Sequence, residues 1–125
     1  MIYGIGIDIV EINRIKKIVI RSGDKLAKRI LRKSELKLYY SKEYPVRFLS
    51  KRFAAKEAVL KAFGTGMSQG ITFSQFEIFN DDLGRPMLRF FSQAAVLAKK
   101  LDLVRTHVSV SDTGLYACSI VIFEC

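Results

Sequence analysis

The stretch IYGIGIDIV at residues 2–10 constrains the chain most. It alternates with the period of a strand, placing Ile5, Ile7 and Ile9 on one face and Gly4, Gly6 and Asp8 on the other. One face is crowded and the other nearly bare. An acid flanked on its own face by glycines leaves space for a ligand to approach the backbone, which makes Asp8 the first candidate for chemistry. The competing reading has Asp8 capping the helix that follows.

At residue 11 the period changes. Ile12, Ile15 and Ile18/Val19 recur at helical spacing over 11–21, with Arg14, Lys17 and Arg21 opposite. Ser22-Gly23-Asp24 breaks the run, with Asp24 as a candidate N-cap. A second short helix carries Leu26 and Ile30 inward and Lys25, Lys28 and Arg32 outward, and 35–40 reads as a third without a capping box at Ser34. Pro45 sits where its missing N–H does least harm, opening a helix over 46–63 that Gly64 ends as a left-handed cap. Residues 64–70 read as a loop. Strands are expected at 72–79 and 87–90 around a turn at 80–86, then a helix at 93–101 and a hairpin of 106–111 with 115–123. The expected fold is α+β: one small domain over 1–125, helices mainly in the first half, antiparallel strands mainly in the second.

The formal net charge of +9 calls for an anionic partner, and it is unevenly spread. Residues 11–61 hold 16 Lys/Arg against 5 Asp/Glu, a net of +11, while the remainder holds 5 against 7, a net of −2. The partner should meet the N-terminal half. Five Tyr and nine Phe beside basic helices raise nucleic acid as a partner, but most sit at core-like spacings and no nucleic-acid motif is present. Cys118 and Cys125 form neither a disulfide framework nor a metal knuckle at their spacing. Asp8 and Glu11 interrupt the first apolar run, and no stretch approaches the roughly 20 apolar residues of a membrane span. The expectation is a soluble cytoplasmic domain.

Glu57 is the second candidate. Ser50, Ala54, Glu57, Ala58 and Lys61 share a helix face, where small residues around an acid and a lysine suggest a groove floor. A plain surface Glu57–Lys61 pair, worth roughly 0.2–0.5 kcal/mol, explains the same spacing. Gly64-Thr65-Gly66 can present an anion-binding nest of N–H groups, although it lacks P-loop spacing and a C-cap turn also accounts for it. His107, the only histidine, shares a strand face with Ser109 and Ser111, and no cysteine pairs with it to make a hydrolase. Two carboxylates, several lysines and a glycine turn suit Mg²⁺ holding a phosphate.

Two longer blocks go further: Gly4-Ile5-Gly6-Ile7-Asp8-Ile9-Val10-Glu11, and Phe48-Leu49-Ser50-Lys51-Arg52-Phe53-Ala54-Ala55-Lys56-Glu57-Ala58 continuing through Lys61-Ala62-Phe63-Gly64-Thr65-Gly66. With Gly84-Arg85-Pro86 and His107-Val108-Ser109-Val110-Ser111, they make the sequence resemble, nearly end to end, the holo-acyl-carrier-protein synthases, the short type of 4′-phosphopantetheinyl transferase. The resemblance implies Mg²⁺-dependent transfer of the phosphopantetheine arm of coenzyme A to a serine of acyl carrier protein, in fatty acid biosynthesis. In family terms Asp8 and Glu57 hold the metal, and Lys61 neutralises the phosphates. Arg52, Gly64, Thr65, Gly66, Gly84, Arg85, Pro86 and His107 line the coenzyme A site. Arg14, Arg21, Lys25 and Arg29 meet the acidic carrier. The family also implies a homotrimer with active sites between subunits, Asp8 and His107 facing Glu57 and Lys61 across the boundary. Two positions depart from its pattern: Asp112 replaces a second histidine, and Lys37 an acid.

Overall fold

The computed structural model describes residues 1–125. Its elements run β1 (Ile2–Glu11), α1 (Ile12–Ser22), α2 (Lys25–Ile30), α3 (Lys33–Ser41), α4 (Pro45–Phe63), a single 3-10 turn (Phe73–Gln75), β2 (Phe76–Asn80), β3 (Pro86–Phe90), α5 (Ser92–Lys100), β4 (Arg105–Asp112) and β5 (Tyr116–Glu124). The strands form two antiparallel sheets, β1-β5-β4 and β2-β3. The α+β division into helical and strand halves holds.

The glycine face of β1 does not serve the purpose its bareness suggested. It lies against α4 so closely that a Cβ on Gly4 would stand 2.1 Å from the Ala62 carbonyl oxygen, and one on Gly6 1.9 Å from that of Ala58. The open space is filled by helix backbone, not kept for a ligand. Ser50, Ala54 and Ala58 are fully buried, so the small residues of α4 are the helix's bed and not a groove floor. The opposite face of β1 then has no cover within the chain: Ile5, Ile7 and Ile9 are 59%, 64% and 66% exposed. Their cross-strand partners on β5 are Ile122, Ile120 and Cys118, which extends the apolar face across the sheet.

Phe63 anchors the interior, with its ring 4.8 Å from that of Phe123, 5.3 Å from Phe90 and 6.1 Å from Phe76. These phenylalanines pack with one another. These four are therefore not interleaved with the basic helices, whereas Phe48 and Phe91 lie under Arg52 and Arg32.

A buried lysine shapes the middle of the chain. Residues 49, 52, 56, 59 and 63 make the inward stripe of α4, and two of them are Arg52 and Lys56. Lys56 is completely buried, and its ammonium shares its three N–H groups among Glu35 Oε1 at 2.6 Å and the carbonyls of Ile30, Phe73 and Phe76 at 2.7, 3.2 and 2.7 Å. Gathering the Phe73 and Phe76 carbonyls on one ammonium requires a turn between them. That is why residues 73–75 coil and the strand expected from 72 begins only at Phe76. Glu35 also accepts the Arg32 N–H at 3.1 Å, which starts α3 two residues earlier than its apolar spacing implied.

Two capping expectations fail. Glu11, not Asp8, stands at the N-cap of α1, and Asp24 at the N-cap of α2 makes no side-chain cap. Asp24 instead accepts the Tyr40 hydroxyl from α3 and pairs with Lys28 at 3.4 Å. No helix is long and apolar enough to cross a membrane.

Candidate active site

Asp8 follows the two glycines on the helix-facing side of β1, so the close approach of α4 delivers Glu57 and Lys61 to it. The Lys61 ammonium donates to Asp8 Oδ1 at 3.2 Å and to the Ile7 carbonyl at 2.9 Å. The lysine thus prefers the strand to the i,i+4 pair with Glu57. Burial raises the Glu57 carboxyl above the ordinary carboxylate range, the charge of Asp8 adds to the rise, and Lys61 and Arg29 oppose it. Asp8, Glu57 and Lys61 converge within one chain, which corrects the expectation that Asp8 faces the other two across a subunit boundary.

Beside this cluster opens a cavity of about 460 Å³ lined by Asp8, Glu11, Arg14 and Glu57 together with apolar groups such as Ile15 and Phe53. Arg14, Arg21, Lys25 and Arg29 are all exposed on α1 and α2. Arg14 lines the cavity and Arg29 acts on Glu57, so the basic helices flank the acids. No three metal-ligating side chains converge anywhere in the chain. The two-carboxylate set fits a hard cation that keeps water and substrate oxygens in its shell. Two acids that repel each other, one of them already drawing an ammonium, are a site that calls for a cation.

Gly64 caps α4 in the left-handed conformation, φ 79°, and its N–H donates to the carbonyls of Leu60 and Lys61, both at 3.1 Å. Its N–H is therefore committed to the helix end. The nest expected at 64–66 is left to Thr65 and Gly66, the latter also left-handed at φ 58°.

The other expected cofactor residues do not join Asp8 in the single chain. Arg52 projects from α4 on the face toward α3: its Nε stands 3.6 Å from Glu35, its guanidinium lies 4.8 Å over the Phe48 ring, and its Nη2 donates to Asn80 at 3.4 Å. Arg52 Nε has no hydrogen-bond partner although buried. It lines a second cavity, about 500 Å³, with Lys42, Lys51, Asn80, Gly84 and Pro86. Arg85, Pro86 and His107 line a third, about 380 Å³. Strand alternation explains the separation. His107 pairs with Ile122, which pairs with Ile5, so His107 stands on the isoleucine face of the sheet and Asp8 on the glycine face. His107 Nε2 meets Glu124 at 2.6 Å, and that contact holds the Glu124 carboxyl below its ordinary range.

The ion pairs of three residues are absent from the sequence reading. Lys56 and Glu35 could have been found as a cation on the inward stripe of a helix and the acid it demands. Asp112, at the departed histidine position, pairs with Arg47 at 3.2 Å and Lys51 at 3.9 Å, and no local signal announces that.

The model of the 4′-phosphopantetheinyl transferase superfamily matches residues 4–121. The chain belongs to this superfamily. A holo-[acyl-carrier-protein] synthase of Blochmanniella pennsylvanica is 65% identical over 124 residues, 99% of each chain. Among solved structures, the holo-[acyl-carrier-protein] synthase of Neisseria meningitidis superposes with a TM-score of 0.94 at 37% identity, covering both chains completely. That of Bacillus anthracis, in complex with CoA (3′,5′-ADP), gives 0.83 at 36% identity over 99% of this chain and 97% of its own. The α+β domain described above is thus the transferase fold of that superfamily, with Asp8 and Glu57 lying inside the matched span.

Proposed function

We propose that this chain transfers the 4′-phosphopantetheine group of coenzyme A to a serine of apo acyl carrier protein, releasing adenosine 3′,5′-bisphosphate, in support of fatty acid biosynthesis in the cytoplasm. The observation that carries the reading is the meeting of Asp8, Glu57 and Lys61 beside a cavity lined by Arg14. The names of its relatives and the CoA complex of the Bacillus anthracis protein support the two substrates.

Asp8 and Glu57 would hold Mg²⁺, whose chemistry is charge neutralisation and alignment for in-line displacement at phosphorus. Lys61, half exposed beside Asp8, can reach a phosphate oxygen with its flexible stem. Thr65 and Gly66 offer backbone N–H groups to the same anion. Arg14, Arg21, Lys25 and Arg29 steer an acidic carrier toward the cavity, a long-range effect expressed in encounter rate and orientation.

Arg52, Gly84, Arg85, Pro86 and His107 would complete the coenzyme A site from a neighbouring copy. The uncovered isoleucine face of β1 supports a homotrimer: three aligned, majority-exposed isoleucines are costly to leave in water, and His107 stands on the same sheet face. Assembly through that face is the way to bring the His107 surface toward a second copy's acids.

The test is incubation with coenzyme A, Mg²⁺ and apo acyl carrier protein, read by intact mass. The carrier should gain one phosphopantetheine group, and omission of Mg²⁺ should abolish the gain. A folded enzyme that modifies no apo carrier would sink the proposal.

A further inference from the structure

The Lys61 ammonium is held by two acceptors of one strand, the Asp8 carboxylate at 3.2 Å and the Ile7 carbonyl at 2.9 Å. Side-chain exposure is 54% for Lys61 and 17% for Asp8, so the lysine is the partner with room to swing into solvent. It occupies Oδ1, one of the two oxygens a metal ion on Asp8 could take. We propose that Lys61 is a cation placeholder: its ammonium neutralises Asp8 while no divalent ion is bound, leaves when one binds, and is thereby released to take a phosphate oxygen of the incoming substrate.

The inference rests on reading Asp8 and Glu57 as the metal pair and adds to it a reason for the lysine's place. A metal that takes Asp8 Oδ1 displaces the ammonium, and one that takes Oδ2 sets two like charges on one carboxylate, so on either oxygen metal entry loosens the lysine's hold. An ammonium on a four-carbon stem gives way more readily than a rigid guanidinium fork would. Displacement costs Lys61 two acceptors, and a substrate phosphate supplies their replacement. Metal and phosphorylated substrate therefore assist each other's binding, and by linkage the assistance is equal in both directions.

The decisive measurement is calorimetric titration of Mn²⁺ into the purified protein with no coenzyme A present. Lys61→Met should bind Mn²⁺ roughly fivefold more tightly than the wild type, the worth of a half-exposed ion pair. Arg29→Gln removes a charge that acts on Glu57 without touching Asp8, and should change the affinity less than about twofold. Lys61→Gln repeats the test should the Met variant fold poorly by circular dichroism. A lysine that serves only the phosphate would leave metal affinity unchanged in the absence of phosphate. That result, or an equal gain in Arg29→Gln, overturns the placeholder. Asp8→Asn and Glu57→Gln separate the two readings. If they weaken Mn²⁺ binding while Lys61→Met gains nothing, only the placeholder fails. If neither alters it, the metal pair fails and takes the placeholder with it.

Discussion

Gly6→Ala is the smallest change that should disable the enzyme. The added Cβ would stand 1.9 Å from the Ala58 carbonyl oxygen and 2.8 Å from the Ala62 nitrogen, both backbone atoms of α4. Neither can rotate away, so α4 and β1 must separate by about 1 Å or more to restore ordinary contact. Overpacking a filled interior costs about 1–3 kcal/mol, and a backbone clash belongs at the upper end. For a domain of this size, about 3 kcal/mol lowers Tm by roughly 10–15 °C. The activity loss should exceed what instability explains. α4 carries Glu57 and Lys61, β1 carries Asp8, and a shift of about 1 Å between reacting groups can cost about 100-fold. Chemical denaturation measures the first effect. Intact-mass transfer assays at 20 °C, where the variant stays folded, measure the second. Gly23→Ala is the control: φ is 64° with ψ −133°, a region L side chains rarely adopt, and no atom lies within 4 Å of the new Cβ, so it should cost about 1–3 kcal/mol of strain and leave turnover at 20 °C intact. A Gly6→Ala protein within about 0.5 kcal/mol of wild type and with full turnover would refute the claim that backbone contact sets the site.

Glu57→Gln should abolish transfer yet stabilise the fold by about 0.5 kcal/mol at neutral pH, near 2 °C in Tm, because it removes a carboxylate that burial and Asp8 both penalise. The pH dependence has a definite sign. The folded pKa is raised, so the penalty is absent below the ordinary carboxylate value and complete above the raised one. Melting curves of the two proteins should therefore converge in acid, and a gap that persists there counts against the cause given. Lys56→Met should lose about 3 kcal/mol by urea denaturation, since Glu35 loses its 2.6 Å partner and keeps only Arg52, at 3.6 Å, as a countercharge. Adding Glu35→Leu should restore only part of this, because the carbonyls of Ile30, Phe73 and Phe76 stay without their donor. Ile7→Glu, on the exposed face, should leave the subunit folded but reduce the mass seen by sedimentation to one chain; an unchanged assembly would place the interface elsewhere.

Periodicity reported local structure faithfully wherever one face of an element decided its partner. The helical stretch 46–63, bounded by Pro45 and Gly64, is visible in sequence because its ends carry their own stop signals. The alternation of residues 2–10 is visible for the same reason. Lys56 broke the pattern where it mattered for boundaries: one ammonium chose the turn at 73–75 over the strand, and a long-range acceptor set leaves no local trace. The candidate acids were legible as residue types, but their proximity was not, because it depends on which face of β1 meets α4. Bareness alone is ambiguous between ligand and backbone, and the 1.9 Å approach at Gly6 resolves it in favour of backbone. That resolution ties the two halves of the function together. A strand of period two that clears one face for a helix must carry its bulk on the other. The glycines that bring Glu57 and Lys61 to Asp8 therefore also force Ile5, Ile7 and Ile9 outward, so one pattern of alternation creates both the acid cluster and the apolar face on which the proposed assembly rests.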